Sequence, residues 1–278
     1  MDDLTALQKR SFELRKDIVE LIRTGKAGHI GGDMSVLEIL MTLYLRRMRI
    51  TPQTAASPDR DRFILSKGHS VEAYLTVLAA AGFLDIAEAT EKFSQFGSPY
   101  IGHPNNKLPA IEMNTGSLGH GLPVAVGMAL AAKMDGKDYR AYVVMGDGEL
   151  AEGSVWEGAM SAAHYRLDNL CAVVDRNRLQ ISGSTEDVMA LDDLHARFRS
   201  FGWHVIDVAD GNSVAQLDAA FAQAEWHKGQ PSVLIANTVK GCGSAIMENK
   251  AGWHHKVPND EEYQQILQDL AARKEAVQ

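Results

Sequence analysis

Long hydrophobic runs are missing from this sequence of 278 residues. No apolar stretch approaches the ~20 residues that a helix needs to cross a bilayer. The opening Met1-Asp2-Asp3-Leu4 also lacks the basic and apolar regions of a secretory signal, so the cytoplasm is the expected location. Cysteine is scarce: Cys171 lies inside an apolar run and Cys242 in a glycine-rich one, neither in a metal-ligand or redox spacing. Cys171 therefore reads as core. Positive charge is short as well: 28 Lys and Arg against 36 Asp and Glu leave a formal net charge of −8 at pH 7. That balance speaks against a nucleic-acid or anionic-membrane surface, since both recruit clustered cations. No Pro- or Ser-rich linker, repeat or low-complexity tract interrupts the chain, and residues 1–278 read as one domain.

What is present is an alternation of short apolar runs and helical patterns. Two runs stand out: Tyr142-Val143-Val144-Met145-Gly146-Asp147-Gly148-Glu149 and Leu170-Cys171-Ala172-Val173-Val174-Asp175-Arg176-Asn177. Both are Val-rich, as strands buried on two faces are, and the 150–166 segment between them has helical spacing, so the three form a parallel crossover unit. Further strands are expected near 62–66, 203–208 and 232–237, with helices over 3–24, 36–47, 123–134, 192–201, 213–227 and 260–276. The fold class is α/β, with a mostly parallel central sheet and helices on both faces. Ser35 and Glu38 have the spacing of a capping box for the helix 36–47.

Ligands of open parallel sheets bind beyond the carboxyl ends of the strands, where Asp147 and Asn177 both fall. Gly146 and Gly148 leave room for backbone to approach an anion, and the helix expected from Leu150 would turn its amide end toward it. A carboxylate and an amide oxygen are hard ligands that suit Mg²⁺ shared with phosphate oxygens. Gly-Asp-Gly by itself is more often an ordinary turn after a strand; the Asn at the end of the next strand is what gives it meaning. Of ten histidines, His164, His195, His204 and His227 fall within elements, whereas His29, His69 and His103 sit beside glycine in loops, where sites are built.

The Gly-Asp-Gly segment with Asn177 resembles the thiamine diphosphate motif. Together with Lys26-Ala27-Gly28-His29, Asp61 to His69, Gly102-His103-Pro104 and Thr115 to Gly121, it resembles the amino-terminal half of transketolase, in the same order, from about residue 10 to about residue 258. The resemblance implies thiamine diphosphate with Mg²⁺, or Ca²⁺ or Mn²⁺ in its place, held by Asp147, Asn177 and the Leu179 carbonyl. It implies that Gly146, Gly148 and Glu149 line the diphosphate. Gly116 and Leu118 would line the aminopyrimidine, and Glu152 would link the two cofactor sites across the dimer. His69 and His254 match histidines near the diphosphate or reacting carbons, and His29 and His103 match those that hold ketose hydroxyls and assist proton transfer. The chain departs from the family with Ile30 for Pro, His120 for Gln, and Trp253-His254-His255 for the usual His-Gly pair, so either His254 or His255 faces the site.

In the resembled family, activating the cofactor needs a glutamate on its pyrimidine ring, supplied by a second domain. The motifs here stop short of that domain. The expectation is therefore one of the two chains of a split transketolase. It would bind diphosphate and metal, work with a separate chain carrying the pyrimidine-binding domain, assemble as two chains of each type, and act on sugar phosphates. The small-residue faces around 116–134 and 150–165 are candidate interfaces, and equally candidate internal packing. Competing readings are a non-catalytic cofactor-binding paralogue that regulates a partner, or a component of another thiamine diphosphate enzyme such as a synthase or a 2-oxo acid decarboxylating complex.

Overall fold

The Val-, Ile- and Leu-rich runs form five parallel strands in a computed structural model that describes residues 3–277. They are β1 (Arg62–Leu65), β2 (Ala141–Gly146), β3 (Leu170–Asp175), β4 (His204–Val208) and β5 (Ser232–Ala236), in the order β1-β2-β3-β5-β4. Val144 pairs with Leu65 on one side and Val173 on the other, and Val173 in turn with Leu234. The helices are α1 (Asp3–Gly25), α2 (Ile30–Thr42), α3 (Val71–Ala80), α4 (Ile86–Lys92), α5 (Gly121–Met134), α6 (Gly153–His164), α7 (Thr185–Val188), α8 (Leu194–Ser200), α9 (Val214–Trp226) and α10 (Asp260–Ala276).

Alternate strand residues feed two cores, the period-two pattern of a sheet covered on both faces. Phe63, Leu65, Tyr142, Val144, Val173 and Leu234 pack with α1, α2, α3, α9 and α10. Ile64, Val143, Met145, Ala172, Val174 and Ile235 pack with α5, α6 and α8. Steps β1 to β2, β2 to β3 and β3 to β4 move one way across the sheet and place α5, α6 and α8 on one face. The single return step, β4 to β5, places α9 on the other, as right-handed crossovers require. Cys171 is buried in the first core, as its setting in an apolar run implies. Among the described residues no helix is long and apolar enough to cross a membrane.

Two local expectations are overturned. Ser35 and Glu38 form no capping box, because α2 already begins at Ile30 and its cap position is His29. The Ser35 hydroxyl instead donates to Asp175 Oδ2 at 2.7 Å, and Glu38 pairs with Arg15. Gly31 and Gly32 are thus helical despite a propensity cost of ~1 kcal/mol each, and close packing explains them. A Cβ on Gly31 would lie 2.6 Å from the Trp253 carbonyl oxygen, and one on Gly32 2.9 Å from Ser70 Oγ. The helix expected from Leu150 likewise starts later. Gly148–Ala151 is a 3₁₀ turn, and α6 begins only at Gly153.

The Arg15–Glu38 pair clamps α1 to α2 inside the core. The guanidinium meets Glu38 at 2.5 and 2.9 Å, and also donates to the carbonyls of Met34 (2.8 Å) and Cys242 (3.0 Å). Removing one partner of such a pair strands the other charge, at a cost of ~3–5 kcal/mol, whereas an apolar pair of similar volume does not. Glu38→Ala should therefore lower unfolding free energy by about 3–5 kcal/mol in urea titrations, and the double variant Arg15→Met/Glu38→Leu should recover most of that loss.

Candidate active site

At the carboxyl ends of β1, β2, β3 and β5 the chain encloses a cavity of about 570 Å³. Its floor is cationic. Lys67, just past β1, and Lys240, past β5, are buried to 1% and 2% exposure. Lys67 Nζ lies 2.5 Å from Asp175 Oδ2 at the end of β3, and Lys240 Nζ lies 3.0 Å from the Leu179 carbonyl and 2.9 Å from His254 Nδ1. Burial, with Lys67 adding to it, brings Lys240 down to about 8. Asp175 is held below the usual carboxylate range: burial works against this, but Lys67 and hydrogen bonds from Lys67, Thr238 and Ser35 outweigh it.

One wall carries oxygen donors. Asp147 Oδ2 accepts from the Arg178 amide at 2.6 Å and from Arg176 at 3.2 Å, and Oδ1 accepts from the Gly148 amide at 2.8 Å. Burial, then the nearby Asp175 charge, pushes Asp147 up. Asn177 donates to Asp175 Oδ2 at 3.3 Å and accepts the Leu179 amide at 3.2 Å, keeping its Oδ1 beside the Leu179 backbone. Arg178 between them adopts φ 67, a left-handed conformation that costs a non-glycine of order 1–3 kcal/mol and is typical of functional turns. Carboxylate, amide oxygen and carbonyl form an oxygen-only set, and the carbonyl already draws an ammonium. Such donors fit a hard divalent cation whose remaining ligands are phosphate oxygens. No group of three or more His, Cys, Asp or Glu among the described residues could hold a metal, so this mixed set is the candidate.

Gly146 and Gly148 form the cradle beneath. A Cβ on Gly148 would sit 2.7 Å from Gln180 Nε2. Glu149 lines the cavity and ties the cradle together. Its Oε1 accepts from Gly119 N at 2.8 Å and from the Ser66 hydroxyl, and its Oε2 accepts from Gly146 N at 3.0 Å.

Above the floor stands a cluster of imidazoles. The His29 ring is 5.2 Å from His69, 6.2 Å from His103, 5.6 Å from His254 and 4.6 Å from His255. Burial followed by neighbouring imidazoles lowers His29 to about 4. Burial followed by Lys240 lowers His254 to about 3. Burial also lowers His69, well below its ordinary value, and His103. All four are neutral near pH 7, able to accept a proton at one nitrogen and donate at the other.

Comparison with known proteins decides what such a cavity belongs to. A family profile described as "Transketolase, thiamine diphosphate binding domain" matches residues 9–276. The chain belongs to the transketolase family. It is 47% identical over 272 residues to an apulose-4-phosphate transketolase subunit of Phocaeicola vulgatus, spanning 98% of this chain and 96% of that one. It is 38% identical to a 6-deoxy-6-sulfo-D-fructose transketolase subunit of a Clostridium, spanning 95% and 96%. Human transketolase is 40% identical over 96% of this chain, which spans only 42% of the human protein. Among solved structures, Campylobacter jejuni transketolase superposes with a TM-score of 0.91 at 26% identity, covering 98% of this chain and 43% of that one. A Pichia stipitis transketolase superposes at 0.88 with 29% identity, covering 95% and 40%. The expectation of the thiamine diphosphate-binding half of a transketolase, a transferase, therefore holds.

Within this transketolase frame, His29, His69, Gly116, Leu118, Gly146, Asp147, Gly148, Glu149, Asn177, Leu179 and His254 all line the cavity. His103 stands beside it, close enough that a Cβ on Gly116 would lie 3.1 Å from its ring. Glu152 is not among the lining residues: it is exposed at the cap of α6 and packs against Gly119. Of the last two histidines, His254 lines the cavity, and His255 is exposed against His29. Sequence reasoning gave no role to Lys67 or Lys240, although each is a lysine next to a glycine just past a strand. It also missed the apolar mouth of Ile181, Val188 and Met189, which is exposed and therefore carries no periodic signal.

Because the folded chain holds His29 and His254 neutral while the unfolded chain protonates them near their ordinary value of 6.5, stability is lost as pH falls through 6.5 toward about 4 for His29 and about 3 for His254. Thermal unfolding of the chain at a series of pH values should show the melting temperature dropping across that window. The double variant His29→Asn/His254→Asn should flatten the drop.

Proposed function

We propose that the chain is the diphosphate- and metal-binding subunit of a two-chain transketolase, moving a two-carbon ketol unit from a ketose phosphate to an aldose. The observation that carries this is the pairing of opposite electrostatics in one cavity: two buried ammonium groups on the floor and neutral imidazoles above them. The floor suits a diphosphate, while uncharged imidazoles suit hydroxyl groups that must lose and regain protons. Thiamine diphosphate, when bound, supplies a nucleophilic thiazolium carbon. In this reading Lys67 and Lys240 hold the diphosphate, with Asp147, Asn177 and the Leu179 carbonyl sharing Mg²⁺, or Ca²⁺ or Mn²⁺, with its oxygens. Gly116, Leu118 and Ile181 pack against ring faces. His29 and His103 take up the ketose hydroxyls, His69 and His254 hold the proton-bearing side near the reacting carbons, and Glu152 reaches toward a second cofactor site.

The chain, read as one diphosphate-binding domain of the cytoplasm, works in this proposal with a separate chain bearing the pyrimidine-binding domain, two chains of each. The relatives of matching length that are named as transketolase subunits support such a division. So do Met134, Met160 and Tyr165, exposed apolar side chains on and beside α5 and α6 where an interface was anticipated. The names of those relatives include ketoses with an anionic phosphate or sulfo group, which supports an anionic ketose donor.

Capturing the tagged chain from its source cells tests the division. Recovery with a second α/β chain, and ketol transfer dependent on thiamine diphosphate and Mg²⁺, is expected. Full turnover by the chain alone would overturn the split, and an inactive chain that binds cofactor without a partner would favour a regulatory paralogue. A charge-assisted contact is worth ~1.5–3 kcal/mol, so Lys240→Met should weaken cofactor binding by roughly 10- to 100-fold in calorimetry. Since Lys240 loses its charge above about 8, wild-type affinity should also decline as pH rises through that value.

A further inference from the structure

Behind the loop that carries His29 lie two carboxyl groups with no part in the cavity. Asp33, in the first turn of α2, and Glu72, in the first turn of α3, are both fully buried and face one another. Asp33 Oδ1 accepts the Ala73 amide at 2.9 Å, but Asp33 Oδ2 and both Glu72 oxygens lack any hydrogen-bond partner. The surroundings offer little relief. Lys67, from the loop after β1, acts on Asp33 through its charge, but its ammonium hydrogen-bonds to Asp175 and the Gly32 carbonyl rather than to Asp33. The backbone amides of His29 and Glu72 ease the Glu72 charge without completing a bond. From α1 comes the hydrocarbon of Ile22, packed with Glu72 around Gly28. Burial raises Asp33 above the usual carboxylate range, and burial with the Asp33 charge raises Glu72 well above it. Two carboxylates this close and this dry cannot both ionise.

We propose that Asp33 and Glu72 share one proton, carried by Glu72 and donated to Asp33, and that this pair is a positioning device for His29. The shared proton satisfies two of the three orphaned oxygens at once. Its link to His29 is steric and short. Gly28 approaches Glu72 so closely that a Cβ there would meet Oε1 at 2.8 Å, and the next amide in the chain is that of His29. The His29 Nδ1 atom is buried and has no partner, so the ring is held by its backbone and by neighbouring imidazoles rather than by a hydrogen bond of its own. Displacing the carboxyl pair therefore displaces the ring. The role in catalysis rests on the reading above that His29 acts on substrate hydroxyls; the shared proton does not.

Infrared difference spectra of the full chain at neutral pH test the proton directly. A carbonyl stretch of a protonated carboxylic acid should be present in the wild type, absent in Glu72→Gln and retained but shifted in Asp33→Asn. Its absence from the wild type, or persistence in Glu72→Gln, overturns the proposal. Positioning is read from the His29 ring resonances in NMR. Glu72→Gln, which still donates to Asp33, should leave them in place, while Glu72→Leu should move them and spare the distant His204. Gly28→Ala, which presses on Glu72 while keeping both carboxyls, should move them too, and serves if Glu72→Leu does not fold. Unmoved resonances in the folded variants sink the positioning role. In the reconstituted pair, Glu72→Leu should lower kcat by about tenfold or more with KM little changed, and Glu72→Gln should restore it. Absence of ketol transfer in every variant, with the infrared and NMR results as expected, would count against the transketolase reading alone.

Discussion

The buried ion pair of Lys67 with Asp175 ties together the carboxyl end of this sheet. Lys67 follows β1 and Asp175 closes β3, so the pair bridges the two strands flanking β2, whose end carries Asp147. An isolated charge at this depth is prohibitively expensive, and the pair is tolerable because further hydrogen bonds accompany the ionic contact. Asp175 meets Lys67, Ser35, Thr238 and Asn177, which come from four separate segments of the chain. The same carboxylate thus anchors the helix behind His29, the loop leading to Lys240 and the amide expected to bind metal.

From that anchor the cavity acquires two electrostatic storeys. Below, Lys67 adds to the burial that disfavours the charge on Lys240, a tension that a bound polyanion would relieve. Above, burial keeps imidazoles neutral where an exposed cluster would be partly charged. Cation repulsion from the floor reinforces the neutrality of the upper layer. In the proposed reading, phosphate recognition and proton handling are thereby assigned to separate layers of one cavity. Glu149 and the glycines at 119, 121, 146 and 148 supply the geometry, fastening three loops to one carboxylate so that backbone can lie close to a ligand.

Much of this was legible in the sequence because it is local. Short Val-rich runs, apolar on both faces, marked the strands, and the glycine-flanked histidines and the Gly-Asp-Gly and Asn pair marked the loops at their carboxyl ends. What escaped depends on partners distant in the chain. Ser35 and Glu38 have capping-box spacing, but Asp175 and Arg15 compete for them more strongly than the helix end does. Gly31 and Gly32 read as loop, yet tight contacts with Trp253 and Ser70 make them helical. Lys67 looked like any polar residue in a turn because its counter-ion lies 108 positions away. Asp33 and Glu72 gave no signal, since their burial is decided by how α2 packs on α3. Choosing between His254 and His255 needed the turn Ala251–Trp253, which sets which ring faces inward.

The central claim is that Asp147, Asn177 and the Leu179 carbonyl bind a divalent cation jointly with a diphosphate, and calorimetry tests it most directly. Thiamine diphosphate would be titrated into the purified chain with and without Mg²⁺, in the wild type and in Asp147→Ala and Asn177→Ala. The account predicts tight binding in the wild type only with Mg²⁺ present, and loss of that Mg²⁺ dependence in both variants with their circular dichroism unchanged. Equal affinity with and without the metal, or variants that retain the coupling, would contradict it.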